Sequence, residues 1–217
     1  MNDDFTPAER AALYRAIALR RDVRAEFLPD PIGHDVLARV LEAAHQAPSV
    51  GLSQPWRFII VRDLATRRRA HEAFTRANAQ AAEAYDVATA TRYRALKLAG
   101  ILNAPVNVCV TCDDDPKRGN GLGRRTMPET ARYSTVCAIQ NLGLAARVEG
   151  LGVGWVSIVE PAELRALLGI PTRVAIVAYL CVGRVAAFAP VADLERDHWE
   201  ARVALADVLD YERYGGS

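Results

Sequence analysis

With 217 residues, 51% of them hydrophobic and 24% charged, the chain is long enough to bury a real core and reads most simply as one globular domain, residues 1–217. A formal charge of +1 argues against a nucleic-acid partner held through phosphates, which calls for a marked basic excess. No apolar run approaches the ~20 residues that span a bilayer, and Met1-Asn2-Asp3-Asp4 is acidic where a secretory leader is basic, so the expectation is a cytoplasmic protein with no membrane segment.

Taken in order, Thr6-Pro7-Ala8-Glu9 has the signature of a helix start: Thr6 caps, Pro7 suits the first turn and Glu9 completes a capping box. The helix, with Leu13 and Ile17 on an apolar stripe, runs up to Arg20-Arg21-Asp22-Val23-Arg24. Three guanidinium groups in five residues offer planar, permanently charged forks for a phosphate and its polar neighbours. Asp22 repels a phosphate unless it faces another part of the ligand, which suggests a ligand with an anionic end and a reactive or hydroxyl-bearing end close together. Read alone, the pentapeptide is more simply a basic helix end with Asp22 paired to its own arginines.

Pro29 and Pro31 end regular structure, and a second helix follows over Asp35 to Gln46 with Val36, Leu37, Val40, Leu41 and Ala44 at helical spacing. The loop Pro48-Ser49-Val50-Gly51-Leu52-Ser53-Gln54-Pro55 is either an ordinary connection or a place where backbone amides approach a planar ligand, Gly51 removing the Cβ that would obstruct it. Trp56 to Val61 reads as a strand. Residues 64 to 100 read as helix in two pieces, with Arg67-Arg68-Arg69 a solvated face. Val106 to Cys112 reads as a strand and Asp113 to Arg125 as an exposed loop, whose acidic triplet lacks the spacing of a calcium site. Tyr133 to Glu149 reads as a helix apolar on most sides, suited to the middle of the fold or to a subunit interface. It leads into Gly150-Leu-Gly-Val-Gly-Trp-Val-Ser157. A dinucleotide-binding turn follows a strand and opens a helix; here the order is reversed, and Ser157 lies in no GxSxG elbow. Glu160-Pro161 opens a helix closed by Gly169, and Val174 to Val182 is apolar enough to be central in a sheet. The apolar tail beyond Leu194, with Trp199, Val203, Leu205, Val208, Leu209 and Tyr211, suggests a segment that packs on a partner subunit.

The four cysteines form no disulfide framework. Cys109 and Cys112 have redox or zinc spacing, but within a strand residues three apart face opposite ways, and a second pair is missing. Buried inert thiols are the expectation, and the scattered histidines suggest no metal site.

RRDVR with Phe27 downstream, APSVGLSQPWRF, and GLGVGWVS before a strand together resemble the FMN-dependent nitroreductase superfamily over most of the chain. The resemblance implies an α+β fold, a nitroreductase-like mixed β-sheet flanked by helices, with terminal extensions exchanged in a homodimer. It implies that Arg20, Arg21, Asp22, Arg24, Pro48, Ser49, Gly51 and Ser53 hold FMN at the dimer interface. Val156 and Ser157 would lie beside the isoalloxazine ring, and Arg184 completes the implied flavin-binding set.

Asp22 stands where typical members tend to have serine or another small residue, and Ser49 to Ser53 where many have asparagine. With Ser157, these positions look like the branch that makes 5,6-dimethylbenzimidazole, the lower ligand of cobalamin. That narrower resemblance makes FMNH2 a substrate, consumed with O2 to give the benzimidazole and erythrose 4-phosphate, with no metal. A separate NAD(P)H-dependent flavin reductase would supply FMNH2. Asp22 would be the acid/base near the ribityl–ring junction and Ser157 a hydrogen-bonding catalytic hydroxyl. Amides near Gly51 would donate to bound oxygen species, and residues 75 to 100 would form a lid. The competing readings are an NAD(P)H-dependent nitroreductase or flavin reductase, and a flavin-storage or dehalogenase-like protein.

Overall fold

Helix α1 (Pro7–Leu19) starts as its sequence dictates. The Thr6 hydroxyl accepts the Glu9 amide at 3.3 Å, and the Glu9 carboxylate accepts the Thr6 amide at 2.7 Å. This computed structural model describes residues 4–215; the acidic opening Met1-Asn2-Asp3 lies outside the described residues. Within α1 only Ala16 is buried, and the Leu13 and Ile17 stripe faces outward.

Helix α2 (His34–His45) turns Leu37, Val40 and Ala44 inward. Strand β1 (Trp56–Val61), helices α3 (Leu64–Glu83) and α4 (Val87–Ala95), and strand β2 (Val106–Asp113) follow. Asp63 caps α3 by accepting the Thr66 amide at 2.7 Å, and Asp86 caps α4 through the Ala88 and Thr89 amides, so the expected helical region does divide in two. Helix α5 (Thr130–Val148), strand β3 (Leu151–Val156), helix α6 (Pro161–Leu168), strand β4 (Val174–Arg184) and the short α7 (Asp193–Arg196) complete the order. Gly169, at φ 64°, closes α6 in the left-handed conformation expected of it.

The four strands lie in the order β1-β2-β4-β3 with every neighbouring pair antiparallel. The sheet is mixed only where Asp22 makes a parallel bridge to Val153. β4 is interior, as its apolar run implied. One face of the sheet carries Val106, Val108, Val110, Leu180 and Val182 against α2 and α5. The other carries Cys109, Tyr179 and Cys181 against α3, α6 and Phe27. Each aliphatic side chain fully buried in this way contributes about 1.5–3 kcal/mol.

α5 buries Ala131, Ala138, Ile139, Leu142, Gly143 and Ala146. Tyr133, Val136 and Val148 on its other side are exposed, as are Val203, Leu205, Val208, Leu209 and Tyr211 of the tail. The cysteines are all free. Burial pushes the Cys109 and Cys181 thiols up to about 12, which leaves little thiolate and makes both inert. Among the described residues no helix is long and apolar enough to cross a membrane.

Candidate active site

After α1 the chain runs extended alongside β3. The Val23 amide donates to the Val153 carbonyl at 2.9 Å, beside the Asp22–Val153 bridge. Two glycines of β3 make this approach possible. A Cβ on Gly154 would stand 2.0 Å from the Val23 carbonyl oxygen, and one on Gly152 would stand 2.8 Å from a Val23 methyl. The glycine-rich strand therefore exists to receive the arginine segment, a pairing of residues about 130 positions apart. Phe27, buried in the core beneath, anchors the segment's far end with a bridge to Val185.

This docking fixes Asp22. Its Oδ1 accepts the Trp155 amide at 2.8 Å, and its Oδ2 accepts Arg24 Nε at 2.8 Å. The Asp22 side chain stays 35% exposed and that of Arg24 17%, so the carboxylate is oriented from behind and open in front. The local ion pair anticipated for the pentapeptide is present, and it serves to aim the acid. Ser157 lies exposed two residues beyond Trp155, and its neighbour Val156 is buried.

The arginines divide their work. Arg21 donates to the carbonyls of Ala18 at 2.7 Å, Arg20 at 2.8 Å and Pro190 at 2.6 Å, so its guanidinium clamps backbone. Arg20, Arg21, Asp22 and Arg24 line a cavity of about 190 Å³ together with Ala192, Asp193, Leu194 and Arg202. Among the described residues Arg20 and Arg202 make no side-chain hydrogen bond or ion pair within the chain, which leaves them as its two uncommitted cations. Burial raises the Asp193 carboxyl above its usual value, with Arg196 opposing. Sequence reasoning missed Arg202 and Asp193 because neither lies in a motif, and the tail around them holds several other charged residues, so nothing local singles them out.

The remaining expected site residues lie elsewhere in this chain. Pro48, Ser49, Gly51 and Ser53 precede β1, three strands from β3, or roughly 14 Å at about 4.8 Å per strand. There Val50 donates its amide to Ser134 Oγ at 3.0 Å, and Ser49 Oγ accepts the Gln54 amide at 3.0 Å. Gly51 takes φ 57°, and among the described residues its own amide donates to nothing. The Ser53 hydroxyl is buried without a hydrogen-bond partner. This turn borders an open cleft of about 610 Å³ shared with Gly119 to Gly123 and Arg125. Arg184 is exposed opposite Leu151, at the entry end of β3, whereas Ser157 follows the exit end, roughly 20 Å away at about 3.4 Å per residue. The stretch expected as a lid forms the end of α3 and all of α4. Among the described residues no three His, Cys, Asp or Glu side chains converge as a metal site.

The chain is thus an α+β protein whose antiparallel sheet carries, alongside its edge strand β3, a segment that sets arginines and Asp22 in one pocket. The chain belongs to the nitroreductase family, whose model matches residues 17–184. It is 47% identical over 198 residues to the 5,6-dimethylbenzimidazole synthase of Rhodospirillum rubrum, covering 91% of this chain and 93% of that protein. Identity to the 5,6-dimethylbenzimidazole synthase of Rhodobacter capsulatus is 43% over 180 residues, covering 83% and 86%. Among solved structures, iodotyrosine deiodinase bound to FMN and 3-iodo-L-tyrosine superimposes with a TM-score of 0.75 at 21% identity, covering 93% of this chain and all of that one, a likeness of fold.

Proposed function

We propose that this protein fragments reduced FMN with dioxygen, releasing 5,6-dimethylbenzimidazole and erythrose 4-phosphate. One observation carries the reading: Asp22, held at 2.8 Å by both the Trp155 amide and Arg24, opens into an arginine-lined pocket. The 47% identity to a protein named for this reaction supports it.

The residues present fit the flavin. Arg20 and Arg202 are free to take a phosphate, while the unengaged Gly51 amide and Ser53 hydroxyl suit the polar edge of a ring. A cavity of about 190 Å³ falls below the roughly 300 Å³ of small ligand sites, and the Pro48–Ser53 turn stands across the sheet from the arginines. Both facts are explained if a second copy of the chain supplies the turn, making the pocket a homodimer interface. The exposed apolar side chains of α1, α5 and the tail support the same assembly.

Reduced FMN supplies the electrons for dioxygen and the carbon skeleton of the product. Arg20 and Arg202 bind its phosphate, and Arg21 holds the wall they stand on. Arg24 and the Trp155 amide orient Asp22, whose two oxygens each keep a lone pair to take a proton near the ribityl–ring junction. Ser157 orients a reacting oxygen by hydrogen bonding, while Val156 and the partner's turn exclude water. Arg184, outside the arginine pocket, takes no part in this reading. No step calls on a metal. A separate NAD(P)H-dependent reductase supplies reduced flavin in the cytoplasm.

The test is aerobic incubation with chemically reduced FMN, products read by mass spectrometry. The proposal expects 5,6-dimethylbenzimidazole, and no NAD(P)H oxidation by the protein alone. NAD(P)H consumption with intact FMN recovered would instead make it a nitroreductase or flavin reductase.

A further inference from the structure

Beyond the pocket, the stretch from Pro190 to Arg202 makes a second attachment. Trp199 sits among Tyr85 and Tyr93, its ring 5.8 Å and 6.2 Å from theirs, and the two tyrosines are 5.2 Å apart. Arg92 lies over the Trp199 ring at 5.6 Å and also donates to the His198 carbonyl. Tyr93 is buried and donates its hydroxyl to Asn78 of α3 at 2.7 Å, so the cluster belongs to the α3–α4 pair as a unit. His198 turns the chain into this cluster with φ 54°. A non-glycine residue holds that conformation where its surroundings over-determine it.

The same stretch walls the arginine pocket. The Trp199 amide donates to the Leu194 carbonyl at 2.8 Å, and Leu194 lines the cavity beside Ala192 and Asp193. Three residues past Trp199, Arg202 returns to that wall. At the other end Arg21 grips the Pro190 carbonyl at 2.6 Å. Trp199 of the aromatic cluster and Arg202 of the pocket thus stand on one short, hydrogen-bonded strap.

We propose that Trp199 is a positioning residue for the reaction: it fastens the α3–α4 pair to the strap carrying Arg202, so that ligand phosphate in the arginine pocket sets how that helix pair sits. This rests on the flavin reading above. Trp199 touches no reacting atom. It acts through Leu194 and Arg202, and through the helices it holds.

Trp199 is one of three tryptophans, so emission reports on it once Trp199→Phe has assigned its share. With the full-length protein, oxidised FMN should change tryptophan emission in the parent, and the Trp199 part of that change should vanish in Trp199→Phe and in Arg202→Met. Riboflavin, which lacks the phosphate, should not produce it. Trp199→Ala should weaken FMN binding about tenfold, the scale of a lost aromatic cluster, and Trp199→Phe should restore most of it. With enzyme in excess, Trp199→Ala should also give less benzimidazole per reduced FMN oxidised, because a loosened helix pair admits water. Should Trp199→Ala fold poorly, Tyr85→Leu loosens the same cluster from its exposed side and should give the same two shifts. Parent-like affinity and parent-like product yield in the variant that folds would overturn the proposal. A parent that binds no FMN refutes the flavin reading itself and removes this inference with it, whereas product formed normally without Trp199 refutes only the strap.

Discussion

Replacing Gly154 by alanine tests the docking on which the site depends. The new Cβ would meet the Val23 carbonyl oxygen at 2.0 Å, and a backbone atom cannot swing aside as a side chain does. The arginine segment must therefore lift from β3. The Val23–Val153 hydrogen bond at 2.9 Å and the Asp22–Trp155 bond at 2.8 Å are lost together. A neutral bond is worth about 1 kcal/mol and a charged one about 1.5–3 kcal/mol; with Asp22 partly exposed, the lower figure applies. Adding residual strain, the expected loss is about 3 kcal/mol, or roughly 6–12 °C in Tm for a chain of this length. Gly152→Ala is the control. Its Cβ meets side chains and no backbone, the methyls of Val185 at 2.7 Å and Val23 at 2.8 Å and the Val23 Cβ at 3.1 Å, so about 1 kcal/mol is expected. Urea unfolding gives both values, and benzimidazole formation should collapse in Gly154→Ala far more than in Gly152→Ala. Equal losses in the two variants, or a Gly154→Ala protein within 1 kcal/mol of the parent and fully active, would refute the reasoning.

Asp22→Asn keeps an oxygen for the Trp155 amide, so FMN binding should hold while the product rate falls about 10²–10⁴-fold, as when a general acid/base is removed; a normal rate would take Asp22 out of the chemistry. Ser157→Ala should bind flavin and lose about ten- to hundredfold in rate, the worth of one hydrogen bond to developing charge, and unchanged turnover would dismiss it. Arg202→Met should weaken FMN by about ten- to hundredfold without affecting riboflavin, as read by flavin fluorescence. Asp193 carries a pKa raised above 3.8 by burial, so its charge costs stability above that raised value and nothing once folded and unfolded chains are both protonated. Asp193→Asn should therefore be at least as stable as the parent at pH 7 in urea, with the difference closing below pH 3.8.

Local signals carried most of the fold. The Thr6–Glu9 capping box, the break between α3 and α4, Gly169 after α6 and the interior place of β4 were all legible, because each depends on residues a few positions apart. The site was legible as a set of residues and not as an arrangement. Three guanidinium groups in a row do not reveal which of them satisfies backbone carbonyls, and Arg21 does. The glycines of β3 read from sequence only as a turn in the wrong order for a dinucleotide; their reason, the carbonyl of Val23, lies about 130 residues away and no local pattern encodes it. Arg202 reaches the pocket only because the Trp199 cluster folds the tail back. The turn at Gly51 and the arginines stand apart in one chain, and a single sequence has no local signal for the second copy proposed to join them.

The strand order has a consequence for how this protein is made. β4 occupies the interior of the sheet yet begins at Val174, 61 residues after its neighbour β2 ends at Asp113. Before β4 emerges from the ribosome, β1 and β2 can pair and α2 can meet α5 over one face of β2, but the other edge of β2 has no strand to pair with. Collapse of the sheet waits for β4, and until then the nascent chain depends on whatever shields the open edge of β2 in the cell.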